Sequence, residues 1–276
     1  MTENVVKFHG GLGHVAPLAN IGVIENAIHR LQNRGLSDPG MIVISGPSGY
    51  GKSMAAAWAK ARHRAVYLQL DDFVTKKSLL LGLCQVLSIK RSVRPGKKDE
   101  AGIADGPPRG TTAELADMVA TELANSRRLL IIDEFDFAVD KHLVMSIFSI
   151  YEKSRASIIL IGEEALPAKL EGWEKFSGRV LDTFYAEAIG MDDARTLARH
   201  KYPDFTFADD LLEMLVKKAK GSARRMNNNL GMIHNEGMSM GWDSCDLTTW
   251  GRRPLQESGV KRREKPIPGA SDTEGA

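Results

Sequence analysis

The chain has 276 residues, 43% of them hydrophobic and 26% charged, with a formal net charge of +2. That composition is globular and long enough for one core domain with a small accessory domain. The only cysteines are Cys84 and Cys245, and His9, His14, His29, His63, His142, His200 and His234 show no ligand spacing, which excludes a disulfide framework and a zinc pattern. No run of 18 apolar residues occurs, and the first 14 residues lack the apolar centre of a signal peptide.

In chain order, residues 1–19 read as a flexible lead-in. Ile21, Ile24, Ala27, Ile28 and Leu31 recur at helical spacing over 20–34, with Asn20 as the expected N-cap. Gly35 to Gly40 break this helix. MIVIS (41–45) reads as a buried strand, followed by a glycine-rich turn and a helix from about Lys52 to Arg62. AVYLQL (65–70) is a second strand, and 75–88 is a helix in which Cys84 is a small core residue. Residues 89–110 read as a mobile basic loop. Thr111, Thr112 and Glu114 open a helix to about Asn125. RLLIID (128–133), SIILIG (157–162) and VLDTFYA (180–186) are three further strands. Strands that are apolar along their length and alternate with helices predict a parallel sheet covered on both faces.

After about Gly190 the pattern changes. Residues 192–202, 207–220 and 222–240 read as three helices without intervening strands. The expected division is therefore a lead-in at 1–19, an α/β domain at 20–190, a helical domain at 191–245 and a basic, unstructured tail at 246–276. Trp58, Trp173, Trp242 and Trp250 read as packing residues.

Two segments carry chemistry. Gly46, Pro47, Ser48, Gly49, Tyr50, Gly51, Lys52 and Ser53 satisfy the P-loop pattern GxxxxGK[ST] between a strand and a helix, and Met54 follows inside that helix. Glycines let backbone N–H groups curl around phosphates, and the helix N-terminus adds positive potential. Lys52 is placed to reach the β- and γ-phosphates of ATP, and Ser53 to ligate Mg2+. About 80 residues on, the strand Leu129–Asp133 delivers a second magnesium ligand, Asp133, and next to it Glu134 as the base that polarises water. Asp136 and Asp140 read as solvated or capping acids.

GPSGYGKS, LLIIDEFD and IILIG, followed by a helical segment containing GSARRMNN, resemble an AAA+ ATPase. More narrowly, the compact size, the DE-x-D segment, FSGRV at 176–180 and the short lid resemble the transposition ATPases related to phage Mu transposition protein B and the TnsC/TniB group. The resemblance covers roughly residues 20–240. It implies a P-loop AAA+ parallel sheet flanked by helices with a small helical lid. It also implies self-association into a ring or helical filament on double-stranded DNA, without sequence preference, and delivery of that DNA to a transposase.

Carried onto this sequence, the resemblance makes Arg179 an arginine finger that reaches a neighbouring subunit's γ-phosphate. It makes Arg224 a lid arginine on the nucleotide, with Arg225 as the alternate. The fourth strand of such ATPases ends in a neutral polar sensor, whereas Gly162 here precedes Glu163 and Glu164. An acid there repels phosphate unless it turns away, so slow, partner-assisted hydrolysis is expected.

The basic residues Lys76, Lys77, Lys90, Arg91, Arg94, Lys97 and Lys98 fall where the resembled ATPases face the DNA-lined pore. A second basic cluster comprises Arg252, Arg253, Lys261, Arg262, Arg263 and Lys265. Only about 20 residues precede the first helix, too few for a helix-turn-helix, so site-specific DNA reading is not expected. The expected partners are DNA, a transposase and further copies of the chain, with no membrane, in the cytoplasm of a bacterium or phage-infected host. A helicase loader or other replication-associated ATPase, and a nucleotide-switched signalling or partner-binding module, are the alternatives.

Overall fold

The computed structural model describes residues 15–35, 37–92, 103–104 and 108–257. The elements run α1 (Ala19–Gln32), β1 (Met41–Ser45), α2 (Lys52–His63), β2 (Val66–Gln69), α3 (Lys76–Val86), β3 (Arg91–Ser92), β4 (Ile103–Ala104), α4 (Thr112–Ser126), β5 (Leu130–Asp133), α5 (Asp136–Asp140) and α6 (Val144–Ser154). They continue with β6 (Ile158–Gly162), α7 (Leu166–Glu171), α8 (Glu174–Ser177), β7 (Val180–Tyr185), α9 (Met191–Lys201), β8 (Thr206–Phe207), α10 (Asp209–Ala219), α11 (Ala223–Met240), β9 (Ser244–Cys245) and α12 (Leu247–Trp250).

Five strands form one parallel sheet in the order β2-β5-β6-β1-β7. The three inner strands are buried at every position, as their unbroken apolar runs require. Successive side chains point to opposite faces, so each strand feeds two cores. Met41, Val43, Leu130, Ile132, Ile158 and Leu160 join the core under α3, α4 and α6. Ile42, Ile44, Ile131, Ile159 and Ile161 join the core under α1 and α2. The expected parallel α/β sheet flanked by helices is therefore the observed fold. Helices α3 and α4 both start in capping boxes, Thr75 with Ser78 and Thr111 with Glu114.

Helices α9, α10 and α11 build a separate core around Leu197, Leu211, Leu215, Met226, Leu230 and Ile233. Two short strands, β8 and β9, pair in parallel within it, where no strands were expected. The packed chain also extends past residue 245. Asp246 caps α12, Trp250 is 2% exposed, and Asn229 accepts the Gln256 N–H at 2.7 Å. An unstructured tail from residue 246 is thus corrected: indole burial holds the chain in place at least to Trp250. Arg253 belongs to this packing, because its guanidinium lies 5.2 Å from the Trp242 ring and 5.8 Å from the Trp250 ring and is 3.6 Å from Glu236.

The lead-in is corrected in the same way. Ala16, 7% exposed, packs into the helical core rather than hanging free. Helix α1 starts two residues earlier than an Asn20 N-cap requires, and Leu18 stands at its N-cap without a side-chain bond. Asn20 is inside the helix and buried for a different reason, described below. In the region read as a mobile loop, the backbone of Arg91–Ser92 pairs antiparallel with Ile103–Ala104. Arg94, Lys97, Lys98, Lys261, Arg262, Arg263 and Lys265 lie outside the described residues. Among the described residues, no helix is long and apolar enough to cross a membrane.

Candidate functional site

The turn after β1 places Lys52 at the first position of α2. Its Nζ donates to the carbonyl oxygens of Gly46 at 2.5 Å and Pro47 at 2.9 Å, which holds the ammonium inside the loop. Burial pushes the Lys52 pKa down, opposed by Glu134, Asp133, Glu163 and Asp136. Gly49 has φ +84°, a left-handed backbone that a side chain rarely adopts, and a Cβ there would stand 2.6 Å from Ser222 Oγ.

Strand β5 ends beside this turn. Asp133 is 1% exposed, and its two carboxylate oxygens are separately engaged. The Glu134 N–H donates to Oδ1 at 2.9 Å, and the Tyr67 hydroxyl donates to Oδ2 at 2.9 Å. Burial, then the charge of Asp133, pushes the Tyr67 hydroxyl pKa up and keeps it a donor. Glu134 has φ +55°, uncommon for a residue with a side chain. Its carboxyl pKa is raised by burial, then by Asp133, and Lys52 opposes the shift.

Asp136, read from sequence as a solvated or capping acid, is 8% exposed and so is not solvated. Its Oδ2 accepts the Glu163 N–H at 2.7 Å, and Lys169 approaches its Oδ1 at 3.4 Å. It thereby ties the end of β6 to the start of α5. Asp140 is exposed and pairs with Lys169 at 2.9 Å.

The helical region closes over the turn. The Arg224 N–H donates to the Gly49 carbonyl at 3.0 Å, and Ser222 Oγ reaches the same oxygen at 3.4 Å. Arg225 turns back, its guanidinium donating to the Ala219 carbonyl at 2.6 Å. Of the two lid arginines, Arg224 is the one that faces the cavity. Asn20 fastens the third side: its amide donates to the carbonyls of Tyr50 at 2.8 Å and Glu187 at 2.9 Å and accepts the Glu187 N–H at 2.8 Å.

Between these groups lies a cavity of about 380 Å³. Its apolar wall includes Ala16, Leu18, Ile21 and Leu197. Its polar wall includes Lys52, Ser53, Glu134, Glu163 and Arg224, with His200, Lys201 and Asn227 from the lid; Ser48, Gly49, Tyr50, Gly51 and Met54 complete the turn side. Glu163 has not turned away from the site, since it lines the same cavity as Lys52 and Glu134. The apolar slot suits a nucleobase, and the turn with Lys52 suits phosphates. Among the described residues, no group of three or more His, Cys, Asp or Glu could hold a metal ion. Ser53 and Asp133 offer one hydroxyl and one carboxylate, a donor set that fits Mg2+, which completes its shell with water and phosphate oxygens.

Arg179 is elsewhere. It precedes β7, and its carbonyl accepts the N–H of Met41, the first residue of β1. The glycine-rich turn at 46–51 follows the other end of β1, about 13 Å away at the usual strand rise. Arg179 donates through Nε to Glu152 at 2.5 Å and lies 6.0 Å from the Phe148 ring. Lys76 and Lys77 are exposed in the first turn of α3, at the cavity end of the sheet. Lys90 is exposed beyond the other end of α3, about 16 Å from them by helix rise, so these three do not form one patch.

Sequence reasoning missed Asn20, Tyr67, Asp136, His200, Lys201 and the 15–18 wall. Asn20 carried a partial signal, a polar residue at the head of an apolar helix stripe. Tyr67 carried none, because an aromatic residue in a strand reads as core.

A family model described as "AAA domain" matches residues 33–170. No curated protein matches the sequence. Among solved structures, the chain resembles Cdc6p from Pyrobaculum aerophilum at 14% identity and TM-score 0.57, covering 81% of this chain and 62% of that one. It resembles the Aeropyrum pernix ORC1 protein in complex with DNA at 15% identity and TM-score 0.55, covering 82% and 61%. It also resembles the Aeropyrum pernix ORC2 protein in its ADPNP–ADP complexes at 18% identity and TM-score 0.54, covering 86% and 64%. At these identities the likeness is one of fold, and the chain spans about three fifths of the length of these structures.

Proposed function

The chain belongs to the AAA domain family of P-loop ATPases, and from that premise we propose that it hydrolyses ATP with magnesium, assembles head to tail on double-stranded DNA and delivers that DNA to a transposase. The observation that carries this reading is the convergence of Lys52, Glu134 and Arg224 on one cavity, while Arg179 stands at the opposite end of the strands. A cavity residue acts on the chain's own nucleotide. An arginine at the far end of the strands acts only on a neighbour's, which makes the contact heterologous and able to propagate as a ring or helix.

In this reading the amides of Gly49, Gly51 and Lys52 cradle the phosphates, and the Lys52 ammonium leaves its carbonyl partners for the β- and γ-oxygens. Ser53 and Asp133 would hold the magnesium ion, which would supply charge neutralisation on the phosphate oxygens. Glu134 takes a proton from the water that attacks the γ-phosphorus. The bond from the γ-phosphorus to the β–γ bridging oxygen breaks, releasing ADP and phosphate. The raised carboxyl pKa of Glu134 makes it a stronger base than an exposed glutamate. Glu163 adds negative charge beside the γ-phosphate, which supports slow turnover until Arg179 of a neighbour compensates.

The DNA contact rests on the exposed Lys76 and Lys77 and on the resemblance to transposition ATPases. Phosphate contacts of this kind are indifferent to sequence and sensitive to salt. A gel shift with duplex DNA tests the whole reading. A ladder of complexes is expected with a slowly hydrolysed ATP analogue and not with ADP. DNA left bare with both nucleotides would overturn it. ATPase stimulation by a replicative helicase, and not by a transposase, would favour the helicase-loader alternative.

A further inference from the structure

Tyr67 is the one neutral side chain among the described residues whose hydroxyl bonds the strand-end carboxylate Asp133. Its place follows from register. Tyr67 on β2 pairs with Ile131 on β5, and Asp133 lies two residues further on the same face of β5. That face is the one covered by α1 and α2, where the Tyr67 ring packs against the apolar core and Lys60 Nζ stands 5.9 Å from its centroid. The ring is thus fixed from both sides, and its hydroxyl is delivered to Asp133 Oδ2 at 2.9 Å.

A carboxylate on a short side chain rotates about its last bond unless both oxygens are held. Here the Glu134 N–H holds Oδ1 and the Tyr67 hydroxyl holds Oδ2. Each oxygen keeps a lone pair free for a cation or its water. With phenylalanine at 67 the packing would survive, but Oδ2 of a 1%-exposed aspartate would lose its side-chain donor.

We propose that Tyr67 is a positioning residue for divalent-cation binding: its hydroxyl orients the Asp133 carboxylate toward the cation that accompanies the nucleotide. The inference rests on the reading of Asp133 as a magnesium ligand. Removing such an outer partner commonly weakens metal affinity about 10- to 100-fold.

The test measures binding of a fluorescent ADP analogue to the full chain, in EDTA and across a Mg2+ titration, for wild type, Tyr67→Phe and Asp133→Asn. Tyr67→Phe is expected to match wild type in EDTA and to need about 10- to 100-fold more Mg2+ for half-saturation. Steady-state ATPase should show the same split, with kcat recovering at high Mg2+. If Asp133→Asn loses the Mg2+ response and Tyr67→Phe keeps it, the proposal is overturned. If Asp133→Asn itself responds to Mg2+ as wild type does, the reading of Asp133 fails instead. Tyr67→Phe binding more weakly in EDTA, with an unchanged Mg2+ midpoint, would assign Tyr67 to packing alone and also overturn the proposal.

Discussion

Arg179 donates its Nε–H to Glu152 at 2.5 Å, so the arginine proposed to reach a neighbour's nucleotide is held within its own subunit by a carboxylate of α6. For Arg179 to bind a γ-phosphate, that hydrogen bond must be exchanged. Arg179→Ala is expected to keep ATP binding, to lose nucleotide-dependent assembly in sedimentation, and to lower turnover about 10²- to 10³-fold. Glu152→Gln should act oppositely and lower the protein concentration at which ATPase activity reaches half its maximum. Unchanged concentration dependence in both variants would remove Arg179 from the interface.

The same pair predicts a pH response. The hydrogen bond and charge of Arg179 hold the Glu152 carboxyl below its usual 4.5. Because the folded pKa is below the unfolded one, its stabilisation is fully present above about 4.5 and is lost as pH falls through the folded value. Wild type should therefore melt above Glu152→Gln near pH 7, and the two should converge as pH falls below the lowered value of the folded Glu152 carboxyl. Both partners are partly exposed, so the gap is small and shrinks with salt. A gap that widens toward acid would contradict the assignment.

Lys52→Ala should weaken ATP binding by at least about 10², since several charge-assisted hydrogen bonds to phosphate disappear together. Glu134→Gln should bind ATP normally and fail to hydrolyse it, because an amide does not accept the water's proton. Equilibrium dialysis and a single-turnover assay separate the two. Tight ATP binding by Lys52→Ala would sink the site assignment.

Asn20→Ala removes three hydrogen bonds that join α1 to the phosphate turn and to the segment entering the lid. Leaving those backbone groups of Tyr50 and Glu187 unpaired should cost at least about 1–3 kcal/mol in urea unfolding. ATP affinity should fall as well, because Tyr50 lies in the turn itself. A variant as stable as wild type would show that water replaces these bonds.

Lys76→Glu combined with Lys77→Glu should leave ATP binding intact and weaken duplex DNA binding. Log affinity against log salt should become shallower by about 0.9 for each DNA phosphate that is no longer neutralised. An unchanged salt slope would place the DNA-binding surface elsewhere.

The sequence alone determined the sheet's inner strands, the glycine-rich turn after β1, the acidic pair Asp133–Glu134 and the capping box at Thr111. Each of these is written in contiguous residues: an apolar run demands burial on two faces, and closely spaced glycines bend a loop whatever surrounds it. What only tertiary structure decided are the pairings that hold this chemistry in place. Asn20 meets residues 30 and 167 positions away, Tyr67 meets Asp133 across 66, and Arg179 meets Glu152 across 27. Asp136 read as a solvated or capping acid, and the segment around Trp250 as an unstructured tail, until the fold brought Glu163 and the lid core against them. A hydrogen bond's worth depends on the desolvation of both partners, and desolvation belongs to the packed molecule rather than to any stretch of chain.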